Sequence, residues 1–355
     1  MTIEEINNIP FVFIVGRGRS GTTLLQNIID SNENAVLARE SKIIIHLKNK
    51  YFGVEKFDEQ TIDELIADLY KDNFFNFFWE VDQEKLTKEL KSYPTNQLTF
   101  SIVCKIIYLH YTSFFNKKSI KIIGDKNPAY AVFIPELLEV FPDAKFIHLV
   151  RDYRDNVVSN SKAFGEKSFG YLAYGWLVFN KKIEEANYKY PNKFYTLRYE
   201  DLVSSPKEKA IEICDFLNLD FSNEMLSFAS KINDLPITLP KNHLNLLKPI
   251  NTSQVGKYKN ELNDNQLGLI DFICGDFAKK YNYYPTTKKN KFHFKLKLLY
   301  YQLRYKQFKF IIKSYYQLPF QIRDLVRAIS IFLHQHFNIS TKFNRVELNA
   351  KANDI

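Results

Sequence analysis

The sequence predicts an α/β protein with a P-loop-like, three-layer fold around a central, mostly parallel sheet. A short apolar run, PFVFIVG (Pro10–Gly16), leads into the loop GRGRSGTT (Gly16–Thr23), and TTLLQNIIDS after it has helical spacing. Further apolar runs alternate with helical stretches, which is typical of parallel strands joined by crossover helices. Such sheets bind ligands at the carboxyl ends of their strands, so we expect the functional residues there.

Three later runs are predicted as buried strands because they are apolar and end in polar residues. They are Ile120–Pro128, Ala144–Asp152 and Asn192–Leu202, the last leading into a loop. Helical spacing predicts the helices Asp63–Phe78, Leu98–Phe115, Phe133–Phe141, Tyr171–Tyr188 and Lys207–Leu217. His148 lies inside the strand predicted over Ala144–Asp152 and is expected in the core. The aromatic stretch DNFFNFFWE (72–80) is also expected in the core, with a hydrophobic or sugar-stacking pocket as the alternative.

Composition is that of an ordinary globular protein: 355 residues, of which 45% are hydrophobic. Cys104, Cys214 and Cys274 are odd in number and widely spaced, which fits a reducing compartment and shows no metal-ligand spacing. The N-terminal MTIEEINNIP is acidic and polar, and no apolar run approaches the roughly 18 residues of a membrane span. We therefore expect a cytoplasmic protein without a secretory signal.

The positive charge is concentrated near the C-terminus. Residues 286–355 hold 14 Lys/Arg against 3 Asp/Glu, a net of +11, so residues 1–285 carry 35 against 37, a net of −2. We predict a domain over 1–285 and a basic, aromatic-rich helical extension over 286–355. The extension fits a helix packed on the domain, or a surface that meets anionic lipid or a protein partner. Nucleic-acid binding fits poorly, because the stretch is too apolar and has no recognised motif.

The glycine-rich loop departs from a nucleoside-triphosphate loop at one position. In G-x-x-x-x-G-K-[ST], the lysine reaches the terminal phosphates and the hydroxyl holds Mg²⁺. Gly16 and Gly21 keep the spacing and Thr23 supplies the hydroxyl, but Thr22 stands at the lysine position. A loop at a helix N-terminus can still bind an anion through N–H groups, hydroxyls and the helix dipole.

The segment LVRDYRDNVVSNS indicates a second anion-binding group. Arg151 stands at the end of a predicted strand, and Ser159 follows eight residues later. An arginine can bind a phosphate through two hydrogen bonds, and a serine one or two helical turns on can add a hydroxyl. The alternative is a capping network of Arg151 or Arg154 with Asp152 or Asp155.

The two segments resemble those of the sulfotransferases that use 3′-phosphoadenosine 5′-phosphosulfate (PAPS). RSGTTLL resembles their loop for the 5′-phosphosulfate, which implies donor binding by Arg17, Gly18, Arg19, Ser20, Gly21, Thr22 and Thr23. R-x₇-S resembles their clamp on the 3′-phosphate, which implies the same for Arg151 and Ser159. A phosphosulfate has no γ-phosphate, so the resemblance implies no obligatory metal and explains the missing lysine.

Two further segments resemble those that hold catalytic residues in this family. GDKNP (Gly124–Pro128) resembles the strand end whose lysine, here Lys126, points toward the sulfuryl group. Cytosolic members place a catalytic histidine two residues later, where this chain has Pro128. The tyrosylprotein sulfotransferase branch instead has an acidic residue beyond the loop, and Glu40 in LARESKIIIHL lies at the matching distance, 21 residues after Arg19. The motifs are thus closest to a bacterial-type member near that branch.

The resemblance also assigns the acceptor side and the adenosine side. Lys42 and His46 replace two arginines that lie near the acceptor in that branch, so we expect them to bind the substrate. TLRYEDL resembles the adenosine-side segment and NTSQVGKYKNEL resembles a late loop near the cofactor. The contacts implied there are Tyr199, Ser253, Gln254 and Lys257. The whole resemblance spans about residues 11–285.

The mechanism that the resemblance implies consists mostly of positioning and charge stabilisation, as in phosphoryl transfer. Lys126 and Arg19 stabilise the leaving phosphate, and Glu40 accepts the proton of the acceptor hydroxyl. His46 or His110 is the alternative base, and a salt bridge with a neighbouring cation is the alternative role for Glu40.

Two other classes of function stay open on the sequence. A P-loop kinase or NTPase needs the lysine and an acidic Mg²⁺ ligand, and Thr22 weighs against it. A non-catalytic anion- or membrane-binding module would depend on the basic extension. The acceptor is open among sugars, lipid or sterol alcohols, phenols, small metabolites and peptide tyrosine, and no sequence feature indicates an oligomeric state.

Overall fold

A five-stranded parallel sheet lies at the centre of the computed structural model, which describes residues 1–72, 75–76, 79–233, 247–287, 292–318, 322, 325–326, 329–330 and 332. The strands are β1 (Phe11–Gly16), β2 (Ala35–Ala38), β3 (Ile122–Lys126), β4 (Lys145–Val150) and β5 (Phe194–Arg198). Their order across the sheet is β2-β3-β1-β4-β5, and every pairing is parallel. The five carboxyl ends therefore share one edge, and the predicted α/β class is confirmed.

Helices cover both faces of the sheet and complete the three layers. The α-helices of the described ranges are α1 (Ile3–Asn8), α2 (Thr22–Asp30), α3 (Ile43–Tyr51), α4 (Glu59–Leu69), α5 (Gln83–Ser92), α6 (Phe100–Leu109), α7 (Ile134–Val140), α8 (Tyr153–Phe164), α9 (Phe169–Lys189), α10 (Tyr199–Ser204), α11 (Pro206–Leu217), α12 (Phe228–Asn233), α13 (Tyr258–Glu261), α14 (Asp264–Ala278) and α15 (Phe292–Gln317). Short 3₁₀ turns occur at Pro128–Val132, Pro191–Lys193, Asn223–Leu226 and Lys279–Tyr281.

The central strand β1 divides the core into two halves. Phe11 and Phe13 belong to one apolar cluster, and Val12 and Ile14 belong to the other, because alternate side chains of a strand point to opposite faces. His148 in β4 is fully buried, with its Nε2 2.8 Å from Asn180 Oδ1, and burial lowers its pKa to about 4. The expectation that this histidine is a core residue is confirmed.

Three predicted elements end at least four residues earlier than expected. The helix predicted over Asp63–Phe78 ends at Leu69, because Asp72 caps a new turn by accepting the Phe75 N–H at 3.0 Å. The helix predicted over Leu98–Phe115 ends at Leu109, and beyond it Ser113 Oγ donates to Asp30 Oδ2 of α2 at 2.7 Å. The strand predicted over Asn192–Leu202 ends at Arg198 and continues as helix α10, so the predicted loop was wrong.

The aromatic stretch at 72–80 contributes to the core, as expected. Phe75 and Trp79 are buried, and Trp79 Nε1 donates to Arg39 O at 3.0 Å. Residues 73, 74, 77 and 78 lie outside the described residues. Trp79 therefore supports the segment that leads from β2 to α3.

The helix α15 packs one of its faces against α9 and α14. Phe294 and Tyr301 are buried, and Tyr301 occupies the space that a Cβ on Gly170 would need. Arg304 Nη2 donates to Glu166 Oε2 at 3.0 Å. None of the helices in the described part of the chain is long and apolar enough to cross a membrane.

We predict that Gly124→Ala destabilises the sheet. A Cβ at this β3 position would lie 2.5 Å from Leu37 Cδ1, Val12 Cγ1 and the Val12 carbonyl oxygen, and that backbone oxygen cannot move aside. Overpacking of this kind costs roughly 1–3 kcal/mol of unfolding free energy, measured by urea denaturation. Gly53→Ala is the control, since a Cβ there meets nothing within 4 Å. Equal stability of the two variants would contradict the close packing.

Candidate functional site

The loop between β1 and α2 lies at the carboxyl edge of the sheet. Arg19 has a φ of 70° and Gly21 has a φ of 95°, so the backbone turns twice through the left-handed region before α2 begins at Thr22. A Cβ on Gly21 would lie 2.5 Å from the Tyr199 ring, whereas one on Gly18 would meet nothing within 4 Å. The first N–H groups of α2 lack intrahelical partners and can bind an anion at this edge.

Two asparagines of α8 hold this loop in place. Asn156 Nδ2 donates to Gly18 O and to Ser20 Oγ, both at 3.0 Å, and Asn160 Nδ2 donates to Gly18 O at 3.0 Å. Both asparagines and Ser20 are buried. The sequence analysis missed these residues. The available signal was their i, i+4 spacing in DNVVSNS, which places both on one face of a helix.

Arg151, at the end of β4, joins three segments that were predicted to bind the nucleotide. Its Nη1 donates to Arg19 O at 3.2 Å and its Nη2 donates to Gln254 O at 2.5 Å. Its guanidinium carbon lies 4.8 Å from the centre of the Tyr199 ring. Its Nε is buried and has no hydrogen-bond acceptor within the described chain. A buried donor of this kind favours an anionic ligand at this point.

Arg19 interacts with Ser159, with Arg151 and with Glu40, which follows β2. Its Nε is 3.4 Å from Ser159 Oγ, which brings the predicted phosphosulfate loop and the R-x₇-S segment together. Burial and the charge of Arg151 lower the pKa of Arg19, while the charge of Glu40 opposes that effect. The side chains of the site therefore concentrate positive charge at this edge of the sheet.

Lys126, at the end of β3, meets Glu40, which follows β2. The Lys126 Nζ donates to Glu40 Oε1 at 2.6 Å. The lysine side chain is 6% exposed and the glutamate side chain is 43% exposed. The carboxylate can therefore be reached from solvent while the ammonium group lies behind it.

Buried polar side chains on either side of Lys126 fix its position. Tyr108 donates its hydroxyl to Asp125 Oδ2 at 2.5 Å, and burial raises the pKa of Asp125. Asn127 Nδ2 donates to Ser41 O at 2.5 Å. These bonds tie the end of β3 to α6 and to the segment that carries Glu40. Sequence reasoning identified GDKNP for its lysine alone.

The late loop is attached to α8 by a carboxylate. Asp155 accepts the N–H groups of Gly256 and Tyr258 at 2.7 and 2.9 Å. Arg154 pairs with Asp152 at 2.6 Å and lies over the Tyr258 ring at 4.4 Å. The capping network considered for this segment therefore exists, but Arg154 forms it, and Arg151 faces the loop.

The remaining residues predicted for the donor occupy three places. Ser253 and Lys257 are exposed on the late loop, next to Gln254. Thr22 is buried and Thr23 is half-buried at the start of α2. Arg17 lies against α9, with its guanidinium carbon 4.8 Å from the Phe179 ring centre.

The residues predicted for the acceptor side lie at the start of α3. Lys42 is exposed directly before this helix. His46 Nδ1 lies 3.1 Å from Asp72 Oδ2; burial alone would raise the pKa of Asp72, but the bond to His46 lowers it to about 2. His110, an alternative base, is 2.7 Å from Glu89 Oε2.

The fold and the site together define a P-loop-like α/β protein whose loop and cationic side chains meet at one edge of the sheet. The chain belongs to the sulfotransferase family, whose family model matches residues 10–223. The sulfotransferase domain of the Synechococcus PCC 7002 olefin synthase has a TM-score of 0.52 and 20% identity, covering 77% of this chain and 94% of that chain. The sulfotransferase domain from the curacin biosynthetic pathway has a TM-score of 0.50 and 19% identity, covering 77% and 98%. Both likenesses show the fold.

Two curated relatives are similar in sequence. A protein-tyrosine sulfotransferase of Drosophila melanogaster is 22% identical over 267 residues, which are 71% of this chain and 48% of the relative. The omega-hydroxy-beta-dihydromenaquinone-9 sulfotransferase Stf3 of Mycobacterium bovis is 26% identical over 250 residues, which are 59% of this chain and 63% of the relative. The chain thus covers less than two thirds of either relative's length.

We predict that Asn156→Ala loosens the phosphate loop. The change removes the amide that bonds Gly18 O and Ser20 Oγ, and loss of a buried hydrogen-bond partner costs roughly 1–3 kcal/mol of unfolding free energy. Hydrogen exchange of the amides at 17–23 should accelerate. Asn49→Ala, at an exposed position of α3, is the control. Unchanged exchange at 17–23 would show that Asn156 does not hold the loop.

Proposed function

We propose that the protein transfers a sulfuryl group from PAPS to an acceptor hydroxyl. One observation carries this proposal: Arg19 and Arg151 meet at the loop, and Lys126 pairs with Glu40 at the same sheet edge. Membership of the sulfotransferase family supports the transferred group. The motifs that resemble the PAPS-binding segments support the donor.

The two charged ends of PAPS match two groups of hydrogen-bond donors in the site. Ser20, Thr22 and Thr23, with the N–H groups of the loop and the start of α2, hold the 5′-phosphosulfate. Arg151 and Ser159 hold the 3′-phosphate, and the buried Nε of Arg151 supplies a donor that has no protein acceptor in the described residues. The remaining contacts are assigned to Arg17, Gly18, Gly21, Tyr199, Ser253, Gln254 and Lys257.

The reaction requires one proton acceptor and a stabilised leaving group. PAPS supplies the sulfuryl group; its bond to the 5′-phosphate oxygen breaks as a bond to the acceptor oxygen forms. Lys126 and Arg19 stabilise the charge on the phosphate side. Glu40 accepts the proton of the acceptor hydroxyl, and its 43% exposure leaves room for that hydroxyl to approach.

The acceptor approaches from the side of Glu40, Lys42 and His46. We assign Lys42 and His46 to the acceptor because Lys42 directly precedes α3 and His46 lies at the start of that helix, both close to Glu40 in sequence. The names of the two relatives give a protein tyrosine and a menaquinone derivative as acceptors of those proteins. Both acceptors carry a hydroxyl, and a hydroxyl compound is the class that we propose here.

We place the reaction in the cytoplasm. Cys104, Cys214 and Cys274 are free and buried, which agrees with a reducing compartment. Transfer from ATP is a weaker proposal, because the position of the Walker lysine is taken by Thr22, a short side chain that is 4% exposed.

We predict that Arg151→Ala weakens binding of 3′-phosphoadenosine 5′-phosphate. A hydrogen bond to a charged group contributes ~1.5–3 kcal/mol, so the Kd should rise by roughly tenfold to a hundredfold in calorimetric titration. Lys85→Ala, at an exposed helix position, is the control. A thermal melt checks that the variant is folded. A folded variant with wild-type affinity would refute the assignment of Arg151.

We predict that Glu40→Gln removes most of the transfer activity. The amide keeps the shape of the side chain but cannot accept the proton, and general-base catalysis contributes about 10²–10⁴-fold. The assay uses ³⁵S-labelled PAPS with a tyrosyl peptide, a phenol, a sugar and a long-chain alcohol as acceptors. Glu55→Gln, at an exposed position, is the control.

Two results of that assay would count against the proposal. If wild-type protein labels none of the acceptor classes, the proposed function fails. If Glu40→Gln keeps most of the wild-type kcat at saturating acceptor, the proton is accepted elsewhere and His46 becomes the next candidate.

A further inference from the structure

The helix α15 presents apolar side chains on two opposite faces. One face, with Phe294 and Tyr301, is buried against the domain. On the other, six large apolar side chains are between 53% and 75% exposed; we call them the outer face, and they are Phe292, Leu296, Leu299, Tyr300, Leu303 and Phe310. Exposed apolar residues are common singly, but a contiguous group of this size marks an interaction surface.

The spacing of these residues makes a single stripe. They follow one another at intervals of 4, 3, 1, 3 and 7 residues along α15. With 3.6 residues per turn, these intervals keep all six side chains within a sector of about 100°. The stripe therefore runs along five turns of the helix on the side opposite to the packed face.

Further apolar side chains are exposed at described positions after α15. Ile322, Leu325 and Ile329 are 44%, 60% and 50% exposed, and they follow one another at intervals of three and four residues. Among the described residues, exposed apolar side chains are thus not confined to α15.

Basic side chains border the outer face. Lys295 and Lys306 project beside one edge of the stripe and Lys297 lies beyond the other edge, all three exposed. The sequence of α15, FHFKLKLLYYQLRYKQFKFIIKSYYQ, contains no acidic residue. Arg304, also on this helix, pairs with Glu166 and does not contribute to the border.

We propose that the outer face of α15 docks on an anionic lipid surface. A helix that exposes an apolar stripe bordered by lysines binds such a surface by burying the apolar side chains below the headgroups while the lysines stay among the negative charges. A second copy of the chain fits less well: a symmetric pairing would oppose the same lysines, and α15 offers no carboxylate to pair with them. The proposal does not depend on PAPS or on the acceptor.

The test is flotation of the full-length protein with vesicles. One set is phosphatidylcholine alone and the other contains phosphatidylglycerol as well. The wild-type protein should float with the anionic vesicles and detach as salt is raised, because salt screens the lysines. Lys295→Gln combined with Lys306→Gln should lower the partition coefficient by about fivefold for each lysine.

A second variant tests the apolar contribution. Leu299→Ser combined with Leu303→Ser should lower the partition coefficient by at least roughly tenfold, because both leucines enter the apolar layer. Tyr188→Ser is the matched control, since Tyr188 is 92% exposed on α9, outside the outer face. Unchanged melting temperature and nucleotide affinity of all variants separate a loss of docking from a loss of fold or of the proposed function.

Three outcomes would overturn the proposal. Wild-type protein that stays with neither vesicle set, or binds both equally, has no anionic docking surface. A leucine variant that partitions like wild type uses another surface. A wild-type dimer in sedimentation velocity that the leucine variant converts to monomer assigns the outer face to a second copy of the chain.

Discussion

The segment that follows β4 holds the candidate site together. Arg151, Asn156 and Asp155 bond to the phosphate loop and to the late loop, and these partners lie 101 to 138 positions away in sequence. The unit formed by β4 and α8 therefore holds the phosphate loop next to the late loop. Because all strands are parallel, the remaining polar residues, Lys126 and Glu40, arrive at the same edge. Such preorganised groups need no rearrangement when charge develops on a substrate.

The cost of this arrangement is charge repulsion between half-buried Arg19 and buried Arg151. Arg19 and Arg151 are neighbours, and burial together with that neighbour lowers the pKa of Arg19. Glu40 offsets part of this charge and pairs with Lys126. An anionic ligand with two charged ends relieves the repulsion, so binding it should also stabilise the fold. A lysine at the Walker position would add another positive charge to this group, so the short, neutral Thr22 is compatible with the site.

The sequence predicted the parts of the site that local signals mark. The loop at 16–23, Lys126 after an apolar run and Arg151 with Ser159 follow from strand-end chemistry, and the structure brings Arg19 to Ser159 and Arg151 to Gln254. The strand β2 was missed, because AVLA is four residues of weak β preference and depends on its pairing with β3. Asn156, Asn160 and Asp155 were missed, because their hydrogen-bond partners are distant in sequence and become neighbours only in the tertiary fold. The contact of Arg17 with Phe179 has the same origin.

The central claim is that the site recognises a nucleotide with a 3′-phosphate and does not need a metal for it. Calorimetric titration of the wild-type protein with 3′-phosphoadenosine 5′-phosphate and, separately, with ATP tests this claim most directly, both without added Mg²⁺. We expect tight binding of the 3′-phosphorylated nucleotide and much weaker binding of ATP. Absence of binding, or a preference for ATP that appears when Mg²⁺ is added, would contradict the account and favour a P-loop kinase or NTPase.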